Sequence, residues 1–323
     1  MAGADIDESA NLGFAPAHDR PVAYIERSRD YYLALGYDNP YVWAHYAEVP
    51  FAPLAKPLSA SRLTIVTTAA PYQADKGPQG PGAPYNAAAK FYAVYSGDSA
   101  ADHDLRIAHV GIDRKHASMA DSACWFPLPA LRRALARGRV GALAARFHGA
   151  PTNRSQRRTL DVDAPEIVAR CREDGVDAAV LVANCPVCHQ TLSLVARELE
   201  TAGIATVVLG CAKDIVEYAG VPRFLFSDFP LGNAAGRPDD VASQDDTLEL
   251  ALRLLEAAPA TRTTVQSPLR WATDAVWKLD YANAGRLPAE ELARLRADNE
   301  RARLIARDLR AAVVPSDTAA TTN

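Results

Sequence analysis

Two apolar segments on either side of a helical segment constrain the fold of this chain most strongly. "VDAAVLVAN" (176–184) and "IATVVLGC" (204–211) are continuous apolar runs, and "CPVCHQTLSLVARELETAG" (185–203) has helical spacing and ends at a glycine. Strands that are apolar on both faces belong to parallel sheets covered by helices. The three segments therefore predict a strand–helix–strand unit at the centre of an α/β fold.

The flanking sequence continues this alternation. "DAPEIVARCREDG" (163–175) predicts a helix with Asp163 as N-cap and Glu166 three residues later, a variant of the capping box. Further elements are predicted as strands at 62–70, 104–111 and 140–149 and a helix at 128–138. With connections this short, the pattern predicts an α/β fold with a doubly wound, mostly parallel sheet and helices on both faces.

The two ends of the chain differ from its middle. Residues 1–20 and 313–323 are polar and aperiodic, which predicts disorder and leaves 21–312 as a single α/β domain. Inside that domain we expect an aromatic helix at 22–36, a proline-rich N-terminal arm over 38–58, and C-terminal helices at 245–258 and 287–312. The C-terminal helices are expected to pack on the body of the protein or on a second subunit.

Composition narrows the class of protein. The 323 residues carry a net charge of −4, and their 35 basic residues are mostly scattered, so nucleic acid is not an expected partner. The N-terminus lacks the apolar region of a secretory signal, and we find no apolar run of a length that spans a membrane. Five cysteines at irregular spacing do not resemble a secreted disulfide framework, so we expect a cytoplasmic protein.

The segment "NCPVCHQ" (184–190) carries the strongest chemical signal and allows three hypotheses. Cys185 and Cys188 form a Cys-x-x-Cys thiol pair, and with His189 they match the attachment signature of c-type haem. Cys185, Cys188, His189 and Cys211 could also ligate a metal, although no second Cys-x-x-Cys completes the usual ligand set. Because haem attachment requires export, the absence of an export signal disfavours the haem hypothesis.

Position in the fold favours the thiol pair. Ligands bind outside the carboxyl ends of parallel strands, where Cys185 and Cys211 both follow predicted strands and are expected to share one crevice. With Pro186 as the first helical residue, Cys185 is the N-cap, and the helix dipole stabilises a thiolate there. Cys188 lies in the first turn, where it can close a disulfide. We expect Cys124 and Cys171 to be packing residues.

A second group of candidates follows the predicted strand at 104–111. "AHVGIDRKHA" (108–117) places His109, Asp113 and His116 at and just after the end of that strand. A general acid or base located there would face the crevice, although a single histidine is more often only hydrogen-bonded.

The sequence resembles a known enzyme family. "GVDAAVLVANCPVCHQTLSLVARELETAGIATVVLGCAKDI" (175–215) and "VPRFLFSDFPLGNAAGRP" (221–238) are similar to the selenoprotein B family of glycine, sarcosine, betaine and D-proline reductases, nearest to the D-proline reductase selenoprotein subunit. The resemblance runs from about 21 to about 240, and 185–228 is its most specific part.

The resemblance implies reductive cleavage of a C–N or C–S bond in a small amino-acid-like substrate. It implies Cys185 as the nucleophile, Cys188 as the resolving thiol and an external dithiol or thioredoxin as reductant, with no bound cofactor. A second enzyme subunit and a homo-oligomer are also expected. The chain departs from the family because both positions are cysteine rather than selenocysteine, which weakens the nucleophile.

Two alternatives remain open at this point. Cys185 and Cys211 could act as the acid and base of a cofactor-independent racemase or lyase. Alternatively, Cys185, Cys188 and Cys211 could hold a metal or an iron–sulfur cluster in a binding subunit.

Overall fold

The computed structural model of the chain describes residues 20–36, 41–152 and 155–313. The strands in these ranges are Arg62–Thr67 (β1), Ala70–Pro71 (β2), Tyr95–Asp98 (β3), Leu105–Arg106 (β4), Ala142–Leu143 (β5), Arg146–Gly149 (β6), Ala178–Val182 (β7), Ala205–Gly210 (β8), Arg223–Phe226 (β9) and Thr263–Gln266 (β10). The α-helices are Tyr24–Ala34 (α1), Leu128–Ala136 (α2), Gln156–Arg158 (α3), Ala164–Glu173 (α4), Pro186–Thr201 (α5), Lys213–Ala219 (α6), Val241–Ala257 (α7), Trp277–Asp280 (α8) and Ala289–Val313 (α9).

One large sheet organises the described residues. Its strand order is β10-β9-β8-β7-β1-β6-β3, and the short strand β5 pairs with the start of β1. All of these pairings are parallel except that of β3 with β6. The chain runs from β1 to β6 on one side and then returns across β1 to β7 on the other. The carboxyl ends of β1 and β7 therefore form the topological switch point of the sheet.

Each face of the sheet has its own hydrophobic core. Val180 and Val182 of β7 belong to one core, together with apolar residues of α2 and α7. Ala179 and Leu181 of the same strand belong to the other core, which apolar residues of α4 and α5 complete. Successive side chains of a strand point to opposite faces, so helices cover both faces of one sheet. The predicted doubly wound α/β fold is confirmed.

The proline-rich arm crosses the outer surface of α5. The amide of Ala44 donates to Gln190 Oε1, and the amide of Ala52 donates to Glu200 Oε2. Glu200 is in turn paired with Arg223, at 2.8 Å between Oε1 and Nη1, and both side chains are buried. The arm is therefore fastened to the same helix whose N-terminus carries Cys185.

Two local predictions were wrong. In the segment 104–111, only Leu105–Arg106 forms a strand, and it pairs with β2 in a separate two-stranded sheet rather than with the main sheet. Asp163 is not an N-cap, because the helical path begins earlier, at Ser155, and runs through a π-helical turn at Thr159–Asp163 into α4. Asp163 consequently has helical dihedral angles and makes no capping bond.

The C-terminal helix α9 packs on the body through one stripe only. Its half-buried positions recur at helical spacing, at Glu291, Leu292, Leu295, Asp298, Asn299, Ala302, Ala306 and Leu309. Leu304 and Ile305 are 45% and 43% exposed. Among the side chains described in α9, none is fully buried, so this helix is held less firmly than α5 or α7.

The ends that the sequence predicts to be disordered, 1–20 and 313–323, lie outside the described residues apart from positions 20 and 313. Within the described ranges, no helix combines the length and the apolar character that crossing a membrane requires.

Candidate active site

The switch point of the sheet brings together the residues that follow β1 and β7. Thr68 comes directly after β1, and Asn184 and Cys185 come just after β7. Asn184 Nδ2 donates a hydrogen bond of 3.1 Å to Thr68 Oγ1, and both side chains are buried. This hydrogen bond joins the two loops on the floor of the crevice in which the sequence predicts the site.

Cys185 is the N-cap of α5, as predicted, and Pro186 is the first residue of the helix. The Cys185 backbone is extended, with φ −132° and ψ 169°, and its Sγ accepts the backbone N–H of Cys188 at 3.3 Å. The Cys185 sulfur thus occupies the position where a helix N-terminus stabilises negative charge. Only 5% of Cys185 is exposed.

Cys188 lies one turn further into α5 and is completely buried. Burial raises the pKa of its thiol far above the usual value, and the hydrogen bond to the Cys185 side chain and the charge of Cys185 raise it further. The Thr68 side chain bonds to Cys188 and lowers that pKa in part. Cys188 therefore remains a protonated thiol, and Thr68 stabilises its thiolate when it forms.

His189 is a structural residue rather than a ligand or proton carrier. Its Nδ1 lies 2.7 Å from the carbonyl oxygen of Cys185, which can only accept, so this nitrogen carries the proton. Its Nε2 accepts the backbone N–H groups of Cys211 at 2.8 Å and Ala212 at 3.1 Å. Burial lowers the pKa of His189 to about 4. Both ring nitrogens are fully used, and the ring stays neutral.

His109 faces the cysteine pair. One of its ring nitrogens and the Sγ atoms of Cys185 and Cys188 all lie within 4.8 Å of one another. His109 is 4% exposed, and neither ring nitrogen has a hydrogen-bond partner among the described residues. Burial, with smaller contributions from the charges of Lys90 and Arg114, lowers its pKa to about 3. A buried imidazole without partners is costly, which indicates a chemical role for it.

A half-buried guanidinium supports the backbone of His109. Arg114 Nη2 donates to the His109 carbonyl at 2.8 Å, and its Nε donates to the Ala83 carbonyl at 3.3 Å. Burial lowers the pKa of Arg114, whereas the negative charge on Cys185 is among the groups that raise it. Attraction between opposite charges is mutual, so Arg114 favours the thiolate form of Cys185.

A pocket of about 80 Å³ lies above these residues. His109 and Cys185 form its floor, and Tyr32, Tyr85 and Tyr92 supply aromatic walls. Lys90 and Arg303 are its charged lining residues, whereas no acidic residue lines it among those described. Asn299, Ala302 and Arg303 come from α9, so the C-terminal helix forms part of the pocket wall above Cys185. The basic lining residues suit a small molecule that bears negative charge, although Arg303 also pairs with Glu300 at 3.0 Å.

The other predicted site residues lie elsewhere. Cys211 belongs to the core on the opposite face of the sheet from Cys185 and does not line the pocket. Burial raises the pKa of Cys211 above its usual range, and backbone N–H groups of Asn233 and Phe229 oppose this. The two cysteines therefore do not face each other as the acid–base pair of a racemase would require.

Asp113 and His116 form a separate ion-pair cluster. His116 Nδ1 lies 3.1 Å from Asp113 Oδ1, and His116 Nε2 lies 3.3 Å from Asp280 Oδ2. Neither residue lines the pocket. Cys124 and Cys171 are buried in opposite cores, and burial raises the pKa of Cys171 to about 12.

Three functional candidates carry no recognisable sequence signal. Thr68 and Asn184 are ordinary polar residues at strand ends, and Arg114 is one of many arginines. Only their positions around the thiols in space distinguish them. The register of β1 beside β7, with Thr67 opposite Val182, could have indicated the contact between Thr68 and Asn184.

Comparison with known proteins points to one enzyme family. The chain is 28% identical over 226 residues to the D-proline reductase subunit gamma of Acetoanaerobium sticklandii, an alignment that covers 68% of this chain and 89% of the relative. It is 26% identical to the glycine reductase complex component B subunit gamma of Symbiobacterium thermophilum and of Carboxydothermus hydrogenoformans, over 63% and 68% of this chain.

The chain spans only about half the length of the two glycine reductase subunits, 48% and 49% respectively. No family model matches the sequence, and no solved structure matches it. The relatives agree with the resemblance identified from the residues around Cys185. The chain is accordingly similar to the gamma subunits of D-proline and glycine reductases, in agreement with the resemblance to the selenoprotein B family.

Proposed function

We propose that this protein is a thiol-dependent oxidoreductase that reductively cleaves a C–N or C–S bond of a small, amino-acid-like molecule. The observation that carries this proposal is the geometry of the cysteine pair. Cys185 caps α5 and accepts the amide of Cys188, and Cys188 lies buried directly beneath it. This arrangement is suited to a nucleophilic thiol followed by a resolving thiol.

In the proposed first step, the Cys185 thiolate attacks the substrate carbon that bears nitrogen or sulfur. A carbon–sulfur bond forms, the carbon–heteroatom bond breaks, and the leaving group takes one proton. In the second step, Cys188 attacks the Cys185 sulfur, which closes the disulfide and releases the carbon with its electron pair. That carbon takes a second proton, so it must lie next to a carbonyl or carboxyl group that stabilises the charge.

The net change is balanced. The substrate gains two electrons and two protons, and the two thiols become a disulfide. An external dithiol or a thioredoxin-type protein then reduces the disulfide by thiol exchange. His109, within 4.8 Å of both sulfurs, is the proposed carrier of the proton between thiol and leaving group. The cationic lining supplied by Lys90 and Arg303 supports a carboxylate on the substrate.

A partner subunit is part of the proposal. The relatives are named as a subunit of D-proline reductase and as subunits of component B of the glycine reductase complex. We therefore propose that this chain also works with a second subunit that prepares or delivers the substrate.

The test combines intact mass with turnover. Mild oxidation of the reduced protein should remove two hydrogens, and Cys185→Ser or Cys188→Ser should abolish this loss, whereas Cys171→Ser should retain it. The reduced protein should then be incubated with dithiothreitol and a panel of amino acids and their N- and S-substituted derivatives. Dithiol consumption that requires both Cys185 and Cys188 supports the proposal. An unchanged mass after oxidation of the wild type would refute it.

A further inference from the structure

The side chains of His109, Cys185 and Cys188 have a second property, which does not depend on the reductase proposal. His109, Cys185 and Cys188 present one nitrogen and two sulfur atoms within 4.8 Å of one another, and all three residues are buried. In tetrahedral zinc sites, Zn–S is about 2.3 Å and Zn–N about 2.0–2.1 Å, which places neighbouring ligand atoms roughly 3.5–3.8 Å apart. Shifts of about 1 Å or less would thus convert this group into three corners of a tetrahedron.

Neighbouring residues hold His109 and Cys185 in place. Arg114 fixes the backbone of His109, and Cys185 is fixed because its carbonyl accepts the Nδ1–H of His189. The segment that carries His109 contacts the start of α5 closely at Gly111, since a Cβ at Gly111 would lie 3.0 Å from Pro186 Cδ. Support of this kind, which orients ligands through their neighbours, is typical of protein metal sites.

The donor set selects the class of ion. Two thiolates and an imidazole are borderline-soft ligands that suit zinc, whereas calcium and magnesium require oxygen ligands. Two thiolates also neutralise a divalent cation, so the complex carries no net charge in its buried position. His109 is the discriminating residue, because both of its ring nitrogens lack a partner among the described residues.

We propose that the reduced protein binds one Zn²⁺ ion through Cys185 Sγ, Cys188 Sγ and a ring nitrogen of His109. The fourth position faces the pocket and takes water or a ligand. Binding releases the protons of the two thiols and leaves both sulfurs in their reduced state. Zinc and the Cys185–Cys188 disulfide therefore exclude each other, and zinc inhibits any reaction that needs the free thiols.

The experiment uses the full-length, reduced and metal-free protein with zinc as the probe. Zinc is titrated in competition with a chromophoric chelator, and the expected result is one equivalent bound. His109→Gln, Cys185→Ser and Cys188→Ser should each weaken binding by about ten- to a hundred-fold, whereas Cys171→Ser and His148→Gln should match the wild type. Alkylation read by peptide mass should show Cys185 protected by zinc.

X-ray absorption of the wild-type zinc complex provides a test that needs no variant. Two sulfur ligands and at least one imidazole nitrogen are expected. Absence of stoichiometric binding would overturn the proposal, as would a first shell without sulfur or an affinity that His109→Gln leaves unchanged. Failure of the mass test for the disulfide would refute the reductase proposal and leave the zinc site standing.

Discussion

The imidazole of His189 joins the carbonyl of Cys185, one turn earlier in α5, to the loop that follows the neighbouring strand β8. Its Nδ1 donates to that carbonyl, and its Nε2 accepts two backbone amides of the loop, those of Cys211 and Ala212. One neutral ring therefore fixes the position of the Cys185 backbone relative to the sheet. The third member of the Cys-x-x-Cys-His motif thus supports the site rather than ligating haem or a metal.

Replacement of His189 should destabilise the protein. His189→Leu removes one acceptor and one donor and leaves buried backbone groups unsatisfied, so the free energy of unfolding should fall by about 2–5 kcal/mol. Urea denaturation at neutral pH measures this. The matched control is His45→Asn, because His45 is exposed and bonds to the Tyr218 carbonyl in a surface stack. Equal stability of His189→Leu and wild type would contradict the role assigned to the ring.

Gly210 should not tolerate a side chain. A Cβ at this position would lie 2.6 Å from Cδ2 and Nε2 of His189, which are held rigidly. We expect Gly210→Ala to displace the ring, to cost about 1–3 kcal/mol through overpacking, and to change the alkylation rate of Cys185. Gly80→Ala is the control, since nothing lies within 4 Å of its Cβ. Gly210→Ala with wild-type stability and reactivity would show that the ring can move freely.

Acidification should lower stability below pH 6.5. Burial lowers the pKa of His109 to about 3 and those of His148 and His189 to about 4, from an ordinary value of 6.5. The unfolded chain then binds more protons than the folded chain between pH 6.5 and about 4, so stability is full above this window and is lost as pH falls through it.

A shift from 6.5 to about 4 corresponds to roughly 3 kcal/mol for His189. Denaturation at pH 7.5, 6.0 and 4.5 measures the slope, and His148→Asn should reduce it. Asp214 has the opposite effect on stability. Burial raises its pKa to about 6, so the folded chain binds a proton there before the unfolded chain does as pH falls. Stability that stayed constant over this range would mean that the buried histidines are protonated in the folded state.

Cys185 should be alkylated before the other cysteines. It is 5% exposed at the pocket floor, whereas Cys188 is 0% and Cys211 is 2% exposed. With limiting iodoacetamide on the reduced, metal-free protein, we expect labelling of Cys185 to be about ten-fold faster than that of Cys188. Peptide mapping by mass spectrometry reads the order. Faster labelling of Cys188 or Cys211 would reverse the assignment of nucleophile and resolving thiol.

Replacement of Arg223, one partner of the buried ion pair with Glu200, should lower the free energy of unfolding. Arg223→Met leaves Glu200 buried without its counter-ion and removes the 2.8 Å bond from Arg223 Nη2 to the Ala52 carbonyl, which helps to hold the arm. We expect a loss of about 3–5 kcal/mol. Arg253→Met is the control, because the pair of Arg253 with Glu249 lies at the surface and should contribute less than about 1 kcal/mol. Similar losses of unfolding free energy in Arg223→Met and Arg253→Met would show that burial does not make an ion pair costlier to break.

Strand patterning allowed the β7–α5–β8 unit and the N-cap position of Cys185 to be predicted from sequence. The apolar runs at β7 and β8 and the proline after Cys185 are patterns within single segments. Such patterns are sufficient to predict a buried strand and the start of a helix. The prediction that Cys211 shares the crevice of Cys185 was wrong, because side chains continue to alternate between the two faces past the strand ends. Val207 and Leu209 face the same core as Cys211, whereas Leu181 and Ala183 face the core of Cys185.

The surroundings of the thiols could not be predicted, because they depend on contacts that are distant in sequence. His109 was expected at the end of a main-sheet strand, yet it lies in an irregular segment whose carbonyls are bound by Arg114. An apolar, β-branched run forms a strand only where a neighbouring strand is available to pair with it. Here the close approach of Gly111 to Pro186 replaces that pairing.

The position of α9 has a kinetic consequence. Cys185 lies beneath a helix that contacts the body through a half-buried stripe, and Asn299 and Arg303 of that helix line the pocket. A small dithiol can diffuse past such a cover, whereas a folded protein must bring its own sulfur within bonding distance of Cys185. In the proposed reaction, reduction by a protein would therefore saturate at the rate at which the helix lifts, while reduction by a small dithiol would continue to rise with concentration.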